Sequence, residues 1–177
     1  MPNVLNFVAF QLLWLLTVLV AAKDMTVYAI LATLLFATVQ LIFSAWRLAD
    51  IKLVVVGLVA GMLLDTFWFR QGWIVYASSS GNALAPLWIG CLWVNFMLTL
   101  NHSLSWLQQR LGWVVVCTVF AAPLSYYAAS KLGTVSFSEP LPALIGLSCS
   151  WAVLVPVMMK LARYWRLQDE EAKHALV

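Results

Sequence analysis

The sequence predicts an all-α, polytopic bundle of six transmembrane helices joined by short loops. Of its 177 residues, 64% are hydrophobic and only 10% are charged, whereas a soluble domain is about half apolar and roughly a quarter charged. The apolar residues form six uncharged runs, each close to the roughly 20 residues that a helix needs to cross a bilayer. A water-soluble enzyme, a disordered protein and a nucleic-acid-binding protein are therefore excluded.

Short connections separate the six predicted spans, which together form a single membrane domain over residues 1–177. A transmembrane barrel would show strands of alternating polarity, and the run from Leu53 to Leu64 does not alternate. The longest external connection, Arg70 to Asn82, contains Ser78 to Asn82, whose small residues predict a flexible turn. The tail from Gln168 to Val177 is expected to be a frayed helical end. The spans lie near residues 4–22, 27–46, 53–69, 83–104, 111–129 and 141–161.

The distribution of basic residues predicts that both termini face the cytoplasm. Short loops rich in Lys and Arg stay on the cytoplasmic side of a membrane. Only Lys23, Arg70 and Lys131 lie on the side opposite the termini. The residues that follow the even-numbered spans are Arg47, Lys52, Arg110, Lys160, Arg163, Arg166 and Lys173.

No metal or cofactor site is expected from the spacing of the potential ligands. His102 and His174 are far apart, and no Glu-x-x-His or His-x-x-x-His pair accompanies them. Cys91, Cys117 and Cys149 fall inside predicted spans at spacings unlike those of a zinc site, so these thiols are expected to pack as small apolar groups. No residue is assigned a catalytic role, because the sequence contains no recognisable nucleophile or phosphate-binding motif.

Asp65 is the one ionisable residue well inside a predicted span. A charge at the bilayer centre costs about 2.5 to 3.5 kcal/mol on insertion scales, so such a residue is a candidate functional group. Gly57 and Gly61 precede it at four-residue intervals, which places all three on one helix face and predicts the close approach of another backbone. Asp65 is also about one turn from Arg70. Solvation or pairing, for example with Lys131, and a role in substrate or proton handling therefore both stay open.

Further polar residues near the external end of the fifth span complete a candidate polar cluster. The cluster consists of Asp65, Tyr126, Tyr127 and Lys131. Pro123 lacks a backbone N–H, so one helical hydrogen bond is lost and a kink is predicted near the middle of the span. A hydroxyl or a water can donate to the carbonyl that this leaves without a partner. The tyrosines are compatible with a binding pocket and equally with an ordinary aromatic belt at the membrane interface.

Small residues form a second helix-packing stripe on the fifth span. Ala121, Ser125 and Ala129 recur at four-residue intervals, as Gly57 and Gly61 do on the third span. Stripes of this kind allow helices to pack closely in a membrane. They can pack within one chain or between two, so the sequence leaves homo-oligomerisation open.

Amide side chains lie in the cytoplasmic half of the predicted bundle. Asn6 and Gln11 belong to the first span, Gln40 to the second, and Asn95 and Asn101 to the fourth. Each needs a hydrogen-bond partner that lipid does not supply, which predicts hydrogen bonds between these amides across helices. The alternative is that Gln11, Gln40 and Asn95 line a cavity for a lipid headgroup or a small polar solute.

Several stretches of the chain together carry a family resemblance. They are Asp65 with Trp68 to Gly72, Ala85 to Phe96, Pro123 to Tyr126, and Lys131 to Gly133. In these stretches the chain resembles a family of small bacterial inner-membrane proteins catalogued only as a domain of unknown function. The resemblance covers almost the whole chain and implies a multi-pass protein of the bacterial inner membrane with no assigned reaction.

The family's motif in the fifth helix differs from this chain at four positions. It reads Gly-Pro-x-x-Tyr-x-x-Gly-x-Arg-Leu-Gly-Ala, and the residues that depart from it here are Ala122, Ala129, Lys131 and Thr134. The resemblance also implies genes that neighbour cyclopropane-fatty-acid-synthase-like genes, which favours a process in membrane lipids or envelope stress.

The leading functional hypothesis is a non-catalytic membrane protein that binds lipid or a membrane protein partner. Its role would be that of an accessory in membrane-lipid modification or envelope maintenance, with no cofactor. One alternative is a small transporter or lipid flippase built around the amides and Pro123. Another is an intramembrane lipid enzyme with Asp65 as general base, which lacks a recognisable nucleophile.

Overall fold

The computed structural model describes residues 1–79 and 83–174, the last of these by its backbone only. Within these residues the chain forms six α-helices, one short 3₁₀ helix and a two-stranded sheet, which confirms the all-α, six-helix fold. The α-helices are α1 (Asn3–Ala21), α2 (Thr26–Phe43), α3 (Arg47–Arg70), α4 (Leu87–Leu100), α5 (Leu111–Lys131) and α6 (Pro140–His174). The 3₁₀ helix is Ser105–Gln109, and the strands are β1 (Ile74–Tyr76) and β2 (Val135–Phe137).

Four of these helices are long and apolar enough to cross a membrane. They are α1, α2, α5 and α6. The other two differ for separate reasons: α3 carries Asp50 and Asp65 as well as basic residues near its ends, whereas α4 is apolar but has only 14 residues. The chain is therefore that of a membrane protein, and the passage of α3 and α4 through the bilayer stays a prediction.

Helix α4 is the centre of the bundle and is shorter than the predicted span 83–104. Pro86 precedes it in an extended conformation and Asn101 ends it. After Asn101 the chain turns toward the 3₁₀ helix, so the α-helix ends before residue 104, where the predicted span ends. Residues all along α4, from Trp88 to Leu100, are buried, because α1, α2, α3 and α6 pack around it.

Helix α6 is much longer than its predicted span 141–161. Its 35 residues correspond to about 52 Å at the rise of an α-helix, against roughly 30 Å of hydrocarbon. The expected frayed end is helical up to His174, and residues 175–177 of it lie outside the described residues. This end contacts the α2–α3 connection, where Asp169 Oδ2 accepts a 3.0 Å hydrogen bond from the Ala49 backbone and Trp46 Nε1 donates to Glu170 over 2.9 Å.

The start of α1 and the C-terminal end of α6 lie on the same side of the bundle. Near the start of α1, Asn6 donates to the Leu98 carbonyl and accepts from Ser103 Oγ, at 3.1 and 2.6 Å, both at the C-terminal end of α4. The C-terminal end of α6 contacts the start of α3. Successive helices therefore run in alternating directions, as the predicted hairpins require.

A small antiparallel sheet joins the connections that follow α3 and α5. Val75 lies opposite Ser136 in the middle of the pair, and each helix is followed by a glycine with positive φ, Gly72 at 70° and Gly133 at 84°, which lets the chain turn sharply into the strand. Part of the external connection from Arg70 to Asn82, expected to be flexible, is instead a strand, because β1 lies within it. Residues 80–82 of that turn lie outside the described residues.

Candidate functional site

The structure places three hydrogen-bond donors on the carboxylate of Asp65, which is fully buried on α3. Tyr76 of β1 and Tyr126 of α5 both donate from their hydroxyls to Oδ1, the former over 2.7 Å. Trp93 of α4 donates from Nε1 to Oδ2, also over 2.7 Å. Three elements therefore converge on one side chain of α3, and the term Asp65 cluster is used below for Asp65, Tyr76, Trp93 and Tyr126.

The glycine face of α3 makes room for the Trp93 ring. A Cβ atom on Gly61 would lie 2.1 Å from Cδ2 of Trp93, and one on Gly57 would lie 2.2 Å from Sδ of Met97. The predicted close packing is therefore present, but the groups that occupy the glycine notches are side chains of α4 and not a neighbouring backbone. This contact presses the indole against α3 four residues before Asp65.

The sheet positions Tyr76 over the carboxylate. Ile74 and Tyr76 face inward and Val75 faces outward, the alternation expected of a strand. The Tyr76 ring packs edge-on against Trp88, with 5.9 Å between ring centroids. Burial, followed by the nearby Asp65 carboxylate, raises the pKa of Tyr76 well above its usual value. The Tyr76 hydroxyl therefore stays protonated and serves as a donor.

Two members of the predicted polar cluster lie outside the Asp65 cluster. Tyr127 is half-exposed, and Nζ of Lys131 lies over its ring, 4.9 Å from the centroid. The suggested pairing of Lys131 with Asp65 is absent. Among the described residues, the salt bridges join His102 to Asp50 and residues 166 and 170 of α6, so none of them involves Asp65.

An apolar cavity of about 550 Å³ lies between α1, α4, α5 and α6. Trp93 and Tyr126 line it, so the Asp65 cluster forms part of its wall. Two members of the small-residue stripe, Ala121 and Ser125, also line the cavity. The third member, Ala129, does not: it is buried, and its carbonyl accepts hydrogen bonds from the backbone N–H and the hydroxyl of Thr134.

Two of the predicted amides bond to each other across helices, since Asn6 of α1 donates to Gln40 of α2 over 3.1 Å. Asn95 of α4 instead donates over 3.0 Å to Thr33 of α2. Gln11 is exposed and lines the cavity. The structure therefore contains one interhelical amide pair, one amide that links helices through a threonine, and one cavity residue.

The proline of α5 has a hydroxyl partner on α6. Pro123 lies inside the helix and cannot donate to the carbonyl four residues earlier, which belongs to Val119. Ser148 Oγ donates to that carbonyl over 2.9 Å. The expected freed carbonyl is therefore satisfied across the α5–α6 contact.

Sequence reasoning missed a second buried carboxylate at the opposite end of the bundle. Asp50 accepts from Ser44 Oγ at 2.6 Å and from Asn101 Nδ2 at 2.9 Å, and its Oδ2 lies 2.8 Å from Nε2 of His102. Asp50 lies outside the predicted spans, so the sequence does not mark it as a charge buried in lipid. The clue was that a His follows Asn101 at the end of the fourth predicted span, on the same membrane side as Asp50.

Neither carboxylate belongs to a recognisable metal site. Among residues 1–79 and 83–174 no group of three or more His, Cys, Asp or Glu residues could hold a metal ion. Asp50, bonded to Ser44, Asn101 and His102, links the start of α3 to the end of α4. The Asp65 cluster differs because two of its members also face a cavity.

Comparison with known proteins identifies a family for this chain. A family model described as "Protein of unknown function (DUF2878)" matches residues 3–157. No curated protein and no solved structure matches the chain. The matched region includes the whole Asp65 cluster and nearly all of the cavity lining.

Proposed function

Since the chain belongs to the DUF2878 family of proteins of unknown function, we propose from its geometry that it binds the acyl chain of a membrane lipid between α1, α4, α5 and α6. The cavity of about 550 Å³ is the observation that carries this proposal. In this proposal the protein is a non-catalytic accessory in membrane-lipid modification or envelope maintenance. It resides in a bacterial inner membrane and acts with lipids and a membrane protein partner.

The size and lining of the cavity suit a long apolar chain. Ligand pockets in proteins range from about 300 to 1,000 Å³. The lining extends along α5 from Val114 to Ala128, which corresponds to about 21 Å of helix. Most of its residues are aliphatic or aromatic, so a polar solute would lose its hydration there with few compensating hydrogen bonds.

The cavity also opens toward the side of the bundle that lipid would cover. Ala121 and Leu124 line it and are exposed, and they lie on α5, one of the four helices apolar enough to cross a membrane. A lipid tail can therefore enter sideways from the bilayer without passing through water. Gln11, exposed on α1, supplies a polar group to the cavity lining.

The test is photolabelling of the full-length protein in nanodiscs with a 16-carbon alkyl probe that carries a diazirine. We expect cross-links on α4 and α5 residues of the cavity. Ala121→Trp, which places an indole in the opening, should lower labelling about tenfold if it removes a contact worth roughly 1.4 kcal/mol. Val116→Trp is the matched control, because Val116 is exposed on the same helix outside the cavity lining.

Equal labelling of the wild type, Ala121→Trp and Val116→Trp would overturn the acyl-chain proposal. The flippase alternative is checked with the same variants in vesicles that contain fluorescent phospholipid. Transfer between leaflets that Ala121→Trp abolishes would replace the accessory role with transport, while labelling without transfer supports binding alone.

A further inference from the structure

Buried apolar side chains close the end of the cavity that lies at the start of α5. Leu107 of the 3₁₀ helix, Val114 of α5 and Met159 of α6 line this end, and their side chains are 8%, 1% and 1% exposed. The three elements pack together, since α5 and α6 both contact the 3₁₀ helix. The term cavity floor is used below for Leu107, Val114 and Met159.

Hydrogen bonds hold the backbone of the cavity floor in place. The backbone N–H of Arg110 donates to the Leu107 carbonyl over 2.8 Å, and the backbone N–H of Val114 donates to the Arg110 carbonyl over 3.2 Å. The side chain of Gln108 donates to the Leu100 carbonyl over 2.9 Å, which fixes the 3₁₀ helix to the end of α4. A ligand that displaced the floor would have to break these bonds, so the floor is a firm boundary.

The cavity is more open farther along α5. The lining residues of α5 with exposed side chains all follow Val114 in the sequence; they are Cys117, Ala121 and Leu124. The lining continues to Ala128, near the end of α5 that leads into the sheet. A headgroup at the floor would lose its hydration among apolar side chains, whereas the methyl end of a chain has no hydration to lose.

We infer that the methyl end of the bound chain lies against the cavity floor, and that Leu107, Val114 and Met159 thereby limit the length of chain that the protein accepts. This inference rests on the proposed acyl-chain binding and adds an orientation and a length specificity. The headgroup then lies toward the sheet. A chain longer than the cavity must bend inside it or push its headgroup away from the membrane surface, and its affinity falls.

Two photoreactive lipids test the orientation with full-length protein in nanodiscs. Both are lysophosphatidylcholines with a 16-carbon chain, and the diazirine lies at the methyl end in one and next to the ester in the other. We expect the methyl-end probe to cross-link residues of the cavity floor and the ester-end probe to cross-link Leu124 or Ala128. The reverse pattern, or the same residues labelled by both probes, would overturn the inference.

A series of lysophosphatidylcholines without diazirine, from 10 to 20 carbons, tests the length limit. Each competes with the methyl-end probe at the same mole fraction in the nanodisc. Lipid and cavity are both apolar, so chains that fit should compete about equally. Beyond the limit we expect competition to weaken about tenfold, which corresponds to roughly 1.4 kcal/mol. Equal competition by every chain length would contradict a limit set by the protein.

Two variants of the floor should move the limit in opposite directions. Leu107→Ala removes an isopropyl group and should raise the limit by about two carbons, whereas Val114→Phe adds a ring and should lower it. Leu100→Ala is the matched control, because Leu100 is fully buried at the same end of the bundle but lies outside the cavity lining. A limit that neither floor variant moves would overturn its assignment to the floor. The probe comparison in the wild type decides the orientation even if a variant fails to fold.

The outcomes separate this inference from the proposed function. Labelling of the cavity without a preferred orientation or a length limit overturns the inference and leaves acyl-chain binding in place. Absence of labelling in the cavity by both probes overturns the inference and the proposed function together.

Discussion

Asp65 shows how a carboxylate is accommodated inside a membrane protein without a cation. Its two oxygens accept three hydrogen bonds from neutral donors, the hydroxyls of Tyr76 and Tyr126 and the indole of Trp93. The dependence is mutual, because each buried donor would otherwise lack a partner, at a cost of about 1 to 3 kcal/mol. The cluster therefore links α3, α4, α5 and β1 as well as forming the cavity wall.

Replacing Asp65 tests this mutual dependence. We expect Asp65→Leu to lower the free energy of unfolding by about 2 kcal/mol or more, because three buried donors lose their acceptor. Asp65→Asn should cost less, since its amide oxygen can still accept from Trp93 and the tyrosine hydroxyls can turn to accept from its NH₂ group. Unfolding in mixed detergent micelles, followed by tryptophan fluorescence, measures both. An equal loss in the two variants would contradict this account.

The Ser148 hydroxyl provides a second prediction at the residue scale. Ser148→Ala should cost about 0.6 kcal/mol, the average for a hydrogen bond between membrane helices, because the Val119 carbonyl that Pro123 frees loses its partner. In a Pro123→Ala background the restored N–H can donate to Val119, so Ser148→Ala should then cost little. A double-mutant cycle measures this coupling, and equal costs in both backgrounds would refute it.

At the scale of the elements, helix α4 and the sheet hold the site together. Helix α4 packs in the notches of Gly57 and Gly61 and thereby presents Trp93 to Asp65. The order helix, glycine with positive φ, three-residue strand, helix occurs twice, from α3 to α4 and from α5 to α6, and the two strands pair. The sheet therefore joins two similar helix pairs at the end where the Asp65 cluster lies.

The glycine notch yields a prediction with an internal control. Gly61→Ala should destabilise the protein by about 1 to 3 kcal/mol, because its Cβ would overlap the Trp93 ring and force it away from Asp65. Gly112→Ala, where a Cβ meets nothing within 4 Å, should be neutral or stabilise α5 by up to about 1 kcal/mol. Thermal unfolding of the two variants compares them directly, and a tolerated Gly61→Ala would show that the indole can repack.

On the scale of the whole molecule, the start of α1, the C-terminal end of α6 and Asp50 lie at one end of the bundle, and the sheet and Asp65 cluster lie at the other. The C-terminal part of α6 extends over the α2–α3 connection through Asp169 and Glu170. The surplus of basic residues belongs to the same end, which the positive-inside rule assigns to the cytoplasm.

Cysteine labelling tests this orientation. In a background with Cys91, Cys117 and Cys149 replaced by alanine, a membrane-impermeant maleimide should label Ser136→Cys in intact spheroplasts, because Ser136 is exposed on β2. Gln109→Cys, exposed at the other end, should react only after lysis. The reverse pattern would invert the orientation, and equal labelling of both positions before lysis would contradict a fixed one.

Much of the fold could be predicted because lipid imposes a simple rule on sequence. Each predicted span overlaps one of the six helices, and the proximity of Asp65 to Tyr126 followed from their shared external level. Tyr76 and Trp93 were missed because a three-residue strand has almost no signature and an indole in an apolar helix gives no sign of its partner. Lys131 was placed in the cluster by its level alone, although its side chain lies over Tyr127.

Composition and periodicity alone determined that this is a helical membrane protein and that Asp65 and its glycine face are unusual, because the energies of burying charge and backbone in lipid depend on local sequence. Tertiary structure decided which donors reach Asp65, which carboxylate pairs with His102, and that a cavity separates α5 from α1. Those outcomes depend on the rotation of each helix about its own axis. Side chains distant in sequence set that rotation through packing, and no local pattern encodes it.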